Sequence, residues 1–263
     1  MKTCIFIDTS NFIHSIKDLF SRDQLIDPNH FLPPNANWKK FFQWLSKKAD
    51  GNDFLRAYFY HASEYKFYPE ETSLASLPLF WDAFKKGYKD KEVVAKMKKN
   101  LPNNQPLINA HFKGPRFKLL RDCFRQAKES YKSRKDNAEN VQRMKHAVCL
   151  KHERLEFAKG GTCRFDLINN EFKQEKGVDV NLAVDMIKLS AIYDVCILIS
   201  GDQDFVPVVQ FLKDTGKLVY VVSFTKKSNT AVKSLSPILA RTCDKTIECP
   251  YEQVKKFLFP KKC

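Results

Sequence analysis

The chain has 263 residues, of which 43% are hydrophobic and 13% aromatic, and its formal net charge is +15. Such a composition excludes a disordered chain and suits one large domain, or one domain carrying an insertion. No run of about eighteen apolar residues occurs, which excludes a membrane-spanning helix, and the positive balance points to a polyanionic partner.

Lys2 to Ile7 contains Cys4-Ile5-Phe6-Ile7 and reads as a fully buried strand that stops at Asp8. A helix is expected from near Phe12, with Thr9, Ser10 or Asn11 as its N-cap. Asp27-Pro28 and Pro33-Pro34 mark a loop, and Trp38 to Lys48 carries Phe41, Phe42, Trp44 and Leu45 at helical spacing. Phe54 to Tyr60 reads as a second strand. Residues 62–110 are ambiguous: Pro69, Pro78, Pro102 and Pro106 interrupt short helical patches near Phe80 to Phe84 and Val93 to Met97. From Pro115 to about His152, Phe117, Leu120, Phe124, Ala127 and Tyr131 recur at three- and four-residue steps, which predicts a long helical segment.

A short strand near Arg154 to Ala158 and another from Thr162 to Leu167 flank Gly160-Gly161, which predicts a hairpin. Lys176-Gly177-Val178-Asp179 opens a helix to about Ile192 with the apolar stripe Val178, Leu182, Ala183, Met186 and Leu189. Asp194 to Ser200 is a buried strand, followed by a helix from about Phe205 to Asp214 that Gly216 closes. Lys217 to Val222 is a further buried strand. A helix around Ala231 to Leu239, an edge strand near Lys245 to Glu248 and a basic tail complete the chain. Strand and helix alternate at both ends, so a parallel sheet with helices on both faces is expected, a three-layer α/β core. Eight scattered cysteines without a Cys-x-x-Cys pair do not suggest a disulfide framework. With no charged leader before the first strand, the cytoplasm is the expected compartment.

The charge is unevenly spread. Residues 83–158 hold 20 Lys and Arg against 8 Asp and Glu, so +12 of the +15 lies there. The rest is close to neutral and holds two strands that end at carboxylates, Asp8 and Asp202. In an open parallel sheet such ends meet at the crevice outside the carboxyl edge, at the point where the strand order reverses. Asp179, in the first turn of the preceding helix, can project over the same edge, and Asp204 lies two residues beyond Asp202. Gathered aspartates repel unless a dication neutralises them, and Mg²⁺ or Mn²⁺ prefers hard oxygen ligands of this kind. A basic surface beside an acidic pocket is the pattern of an enzyme acting on phosphate esters, with RNA the expected substrate. Asp8 and Asp204 could alternatively serve as helix caps, and Asp179 as a first-turn carboxylate favoured by the helix dipole. Asp185 lies six residues after Asp179, about 120° round the helix, and reads as supporting rather than a direct ligand. Asn11 can orient a phosphate or a water, or simply cap.

Three blocks, Phe6-Ile7-Asp8-Thr9-Ser10-Asn11-Phe12, Lys176-Gly177-Val178-Asp179-Val180-Asn181-Leu182-Ala183-Val184-Asp185-Met186 and Ser200-Gly201-Asp202-Gln203-Asp204-Phe205, resemble the signature blocks of the NYN-domain family of the PIN-like nuclease superfamily. Tyr58-Phe59-Tyr60 and the element at Asp244 are also similar to its pattern. The resemblance covers roughly residues 1–61 and 153–249 in the family's order. It implies a Rossmann-like, PIN-like parallel sheet and a Mg²⁺- or Mn²⁺-dependent ribonuclease. Asp8, Asp179 and Asp202 would form the metal-holding catalytic core, with Asp204 as a further metal contact and Asn11 and Asp185 supporting. The whole chain, 1–263, is then expected to be one such domain with a mostly helical basic insertion at about 62–152, which has no family counterpart. Lys176, Lys118, Arg121 and Arg125 are the candidate contacts to RNA phosphates.

Other chemistries find less support. His146, Cys149 and His152 offer only three ligand-type side chains on steps that drift round a helix, so zinc is not expected. No Gly-x-Ser-x-Gly elbow and no Gly-x-Gly-x-x-Gly turn is present. Tyr88, Phe112, Phe117, Phe124 and Tyr131 could stack bases, but at helical spacing they read as core. The rival functions are a catalytically silent RNA-binding or scaffold protein with the same fold, and a phosphatase or flap-type DNA nuclease using a related carboxylate cluster.

Overall fold

The computed structural model describes residues 1–20, 33, 36–67, 129–136, 138–139, 152–166, 171–226, 228, 231 and 235–259. Two compact units are present. The first comprises Met1–His61, Val141–Gly161 and Gly177–Cys263, and the second Ala62–Asn140 and Thr162–Lys176. Most of the segment 62–152, with the patches near 80–84 and 93–97, lies outside the described residues, as do His146 and Cys149. Of the long helix expected from Pro115, residues 129–136 are helical.

The first unit is built on a six-stranded parallel sheet. Its strands are β1 (Lys2–Asp8), β2 (Asp53–His61), β4 (Leu155–Lys159), β7 (Val195–Ile199), β8 (Leu218–Thr225) and β9 (Lys245–Pro250), in the spatial order β4-β2-β1-β7-β8-β9. The chain runs outward from β1 on one side and from β7 on the other, so the strand order reverses between these two. Period-two alternation divides the side chains between two faces. Ile5, Ile7, Phe59, Ile197, Ile199 and Val222 face a core shared with helices α1 (Thr9–Leu19), α2 (Trp38–Lys48) and α6 (Tyr251–Leu258). That core is aromatic: Phe12 lies 6.2 Å from Trp38, 6.5 Å from Phe59 and 5.9 Å from Phe224 between ring centroids. The opposite face, with Phe6, Tyr58 and Leu198, is covered by α3 (Val178–Lys188) and α4 (Val206–Asp214). A 3-10 turn (Leu189–Ile192) extends α3, and α5 (Pro237–Thr242) packs beside α4.

The second unit holds a smaller sheet in the order β3-β5-β6, from β3 (Glu64–Phe67), β5 (Thr162–Asp166) and β6 (Glu171–Lys176), with β5 and β6 antiparallel. Tyr131, on the described helical stretch, packs its ring 5.8 Å from Phe172 and donates its hydroxyl to the Tyr65 carbonyl at 2.9 Å. It is a packed residue, as its helical spacing suggests.

Several local expectations are corrected. The strands either side of Gly160-Gly161 form no hairpin: β4 pairs with β2 in the large sheet and β5 with β3 and β6 in the small one. A diglycine permits a tight reversal but does not select which strand is met after it. β6 reads as polar in sequence and was not anticipated. The helix expected from Ala231 starts at Pro237, and Ala231 instead forms an isolated bridge with Thr225. Within the basic tail, Tyr251–Leu258 forms the amphipathic helix α6, whose Tyr251, Val254 and Leu258 are buried. Among the described residues Cys4, Cys163, Cys196, Cys243 and Cys249 are buried, and no helix is long and apolar enough to cross a membrane.

Phe12→Ala would remove the ring that joins α1 to the sheet through Phe59 and Phe224 and to α2 through Trp38. It should destabilise the protein by about 3–5 kcal/mol, read as a lowered urea midpoint at unchanged slope.

Candidate active site

At the carboxyl edge of β1 and β7 the strand pairing brings Asp8 next to the turn after Ile199, since Ile7 and Ile199 are register partners. Asp8 is 8% exposed and Ser200 3% exposed. Ser200 Oγ donates to Asp8 Oδ2 at 3.0 Å and accepts from the Asp202 backbone N–H at 3.2 Å, so one hydroxyl links both carboxylate-bearing segments. The Gly201 carbonyl accepts from the Ser236 N–H at 2.9 Å, which holds the turn from its outer side.

Each aspartate is placed by its own backbone. Asp8 Oδ1 accepts from the Asn11 N–H at 3.1 Å, so Asp8 is itself the N-cap of α1. The cap expected at Thr9, Ser10 or Asn11 is corrected: helical dihedrals begin at Thr9, and a side chain at Ncap is the one that reaches the third amide beyond it. Asp202 does the same for the 3-10 turn Gln203–Phe205, accepting from the Asp204 N–H at 3.0 Å. Asp204, a candidate cap for the helix carrying Phe205 and Pro207, is exposed and lies inside the 3-10 turn, and α4 has Phe205 at its N-cap with no side-chain cap bond. Asp179 stands in the first turn of α3 behind Gly177, whose φ of +87° is a left-handed conformation that glycine adopts without strain. Among the described residues Asp179 accepts no hydrogen bond, and neither Asp8, Asp179 nor Asp202 is ion-paired to a lysine or arginine.

Electrostatics register the convergence. Burial, then the charges of Asp8, Asp202 and Asp204, push the Asp179 carboxyl up to about 6. Burial also raises the Asp8 carboxyl, against the Asn11 amide, the Ser200 hydroxyl and the Ser10 amide that lower it, with Asp202 adding to the rise. These four aspartates therefore share one electrostatic environment at the strand-order reversal. They are not a closed cage: among the described residues no three His, Cys, Asp or Glu side chains are gathered closely enough to hold an ion between them. A donor set of hard oxygens that repel one another still fits Mg²⁺ or Mn²⁺, which commonly takes one or two carboxylates and completes its shell with waters and substrate phosphates.

The remaining candidates separate. Asn11 is half-buried at the rim and supplies its N–H to Asp8. Asp185 accepts from the Tyr60 hydroxyl at 3.0 Å. Asp244 belongs elsewhere: it accepts from the Val219 N–H at 2.7 Å near the start of β8 and pairs with Lys213 at 3.2 Å. Lys176 ends β6 opposite Thr162, and its side chain lies outside the described residues, as do Lys118, Arg121 and Arg125. Sequence reasoning missed Ser200 and Tyr60. Ser200 could have been noticed as the polar residue ending an apolar run, whereas the place of Tyr60 beside Asp8 is set by strand register, which the sequence does not display.

The NYN domain profile matches residues 2–250, nearly the whole chain, and its first and last matched strands are β1 and β9. The chain belongs to the NYN-domain family. Members of that family are generally PIN-like nucleases, hydrolases that act on nucleic acids and typically use divalent metals. No curated protein matches the chain. A crystal structure of a protein of unknown function from Vibrio parahaemolyticus is similar at 13% identity and a TM-score of 0.38, over 94% of this chain and 91% of that one.

The raised Asp179 carboxyl has a consequence for stability. The folded protein holds its proton to about 6, against 3.8 for an ordinary aspartate, so between these values the folded state binds more protons and stability falls as pH rises. Without divalent ions, Asp179→Asn should melt higher than wild type at pH 7 and no higher at pH 4. Added Mn²⁺ should raise the wild-type melting temperature more at pH 7 than at pH 5.

Proposed function

We propose that this NYN-domain protein is a Mg²⁺- or Mn²⁺-dependent ribonuclease that hydrolyses RNA phosphodiester bonds at the rim of β1 and β7. The observation that carries the reading is the meeting of Asp8 and the Asp202 turn at one strand edge, with Asp179 close enough that, after burial, the charges of Asp8, Asp202 and Asp204 help raise its carboxyl to about 6. Asp8, Asp179 and Asp202 would form the ion's site, one or two of them binding it directly and the others through its waters, with Asp204 at the outer edge. Such an ion supplies polarisation of the phosphate oxygens and a lowered pKa for water.

The protein's own residues divide the remaining work. Asp8, fixed by the Asn11 amide and the Ser200 hydroxyl, sets a reference position at the bottom of the site. Asp202, with one oxygen turned back to the Asp204 amide, presents the other. Asp179 carries no hydrogen bond among the described residues, so it is the carboxylate free to reorient or to take a proton from an attacking water. Lys176, Lys118, Arg121 and Arg125 are proposed to hold flanking phosphates, through the electrostatic attraction that dominates nucleic-acid affinity.

A second reading is favoured by one observation, the lack of a three-ligand grouping among the described residues. On it the protein binds RNA and cleaves nothing. Asp8→Asn and Asp202→Asn separate the two. The nuclease reading expects each variant to lose Mn²⁺-dependent cleavage of labelled RNA by at least about 100-fold while filter binding of the same RNA is retained. Undiminished cleavage by both variants, in protein freed of contaminating nuclease, would end it. Calorimetry that finds no Mn²⁺ binding in the millimolar range would favour the silent reading, and a parallel digestion of branched DNA tests the flap-nuclease alternative.

A further inference from the structure

Two consecutive residues of α3 are tied down by tyrosine hydroxyls. Tyr60 donates to Asp185 Oδ2 at 3.0 Å, and Tyr193 donates to the Met186 carbonyl at 2.5 Å. Tyr60 is the register partner of Asp8 on the neighbouring strand and is 1% exposed. Its ring stacks on Phe6 at 6.5 Å, and Phe6 packs against Tyr58 at 5.4 Å and Tyr193 at 5.6 Å. A close-packed aromatic layer therefore sets where the Tyr60 hydroxyl stands. Burial, followed by the Asp185 charge, pushes the phenol far up its range, so it remains a donor at every working pH.

The rest of the α3 contact with the sheet is apolar, through Val178, Leu182 and Met186. Apolar packing is non-directional and tolerates small rotations and slides of a helix, whereas a hydrogen bond of good geometry does not. Asp185 and Asp179 lie on the same helix, about 9 Å apart along its axis. A displacement of α3 at Asp185 is thus delivered to Asp179, which has no hydrogen bond among the described residues to hold it. The charges acting on Asp179 are those of Asp8, Asp202 and Asp204, while Asp185 acts on Tyr60 and Tyr58.

Resting on the nuclease reading above, we propose that Asp185 is an anchor and not an ion ligand, and that its hydrogen bond from Tyr60 is the positioning device that holds Asp179 at the rim. Its work is done by an acceptor oxygen, not by a negative charge. Asp185→Asn keeps such an oxygen, Asp185→Ala removes it, and Tyr60→Phe removes the donor while leaving the ring in the aromatic layer.

The test compares these three variants and the Tyr60→Phe/Asp185→Ala double variant in RNA cleavage, in Mn²⁺ calorimetry and in amide hydrogen exchange. Tyr60→Phe and Asp185→Ala should each lower kcat about tenfold with KM for RNA unchanged, and each should weaken Mn²⁺ binding by a similar factor. The double variant should be no worse than either single one, because both remove the same bond. Asp185→Asn should rescue cleavage and Mn²⁺ affinity to within about twofold of wild type. In exchange, the amides of Asn181, Leu182 and Ala183 should open faster in Tyr60→Phe, with those of β8 unchanged. Loss of cleavage in Asp185→Asn as deep as in Asp202→Asn would overturn the anchor, since a charge would then be required. Full activity in Tyr60→Phe would overturn it as well. A wild-type protein that neither cleaves RNA nor binds Mn²⁺ ends the nuclease reading instead. In that event the exchange rates decide alone, and unchanged α3 amides in Tyr60→Phe refute the anchor.

Discussion

Repulsion among carboxylates at one sheet edge is the constraint around which the first unit is arranged. Asp8 is nearly buried, and burial of a charge without partners is costly. Its two oxygens are therefore each given a donor, the Asn11 amide on one and the Ser200 hydroxyl on the other. Asp202 has one oxygen committed to the amide of Asp204. Asp179 has neither partner nor counter-charge among the described residues, and burial, together with the charges of the neighbouring aspartates, raises its carboxyl to about 6. The three aspartates form a series from fixed to free, and that series reflects which backbone amides and hydroxyls each can reach.

The sheet makes this arrangement possible. Parallel strands ordered outward from β1 and β7 reverse their order between these two, the place where open parallel sheets form a crevice outside the carboxyl edge. The residues at that edge cap the next stretch of helical backbone, Asp8 for α1 and Asp202 for the 3-10 turn. Capping and ion chemistry call for the same kind of side chain in the same place, a carboxylate facing amide N–H groups. In Asp202 one oxygen caps, and among the described residues the other is left uncommitted. An aromatic core on the far face, from Phe12 and Trp38 to Phe59 and Phe224, supplies the packing against which an electrostatically unfavourable edge can be kept in place.

The side of the sheet that bears α3 works by different means. There a layer of Phe6, Tyr58, Tyr60 and Tyr193 combines apolar rings with hydroxyls that reach the helix. Tyrosine suits this use, because its ring packs as core while its hydroxyl holds a neighbour at a defined position. The family match runs from β1 to β9 and so spans the small sheet as well, where the Tyr65 and Phe172 rings lie 4.8 Å apart.

The strands that end at Asp8 and Asp202, the helix that begins at Val178, and the order in which their acidic residues occur were determined by the sequence alone. Apolar runs, glycine turns and cap residues act on neighbours a few positions away, so they can be read locally. The destinations of β4 and β5 could not be read that way, because the diglycine between them permits several partners and pairing is decided by distant strands. Ser200 and Tyr60 look like an ordinary strand end and an ordinary aromatic until the sheet sets one against Asp8 and α3 sets Asp185 against the other. Asp244 could be set apart from the other aspartates only by its bonds to Val219 and Lys213. What a polar group does depends on the atom facing it across the fold, and only tertiary structure supplies that atom.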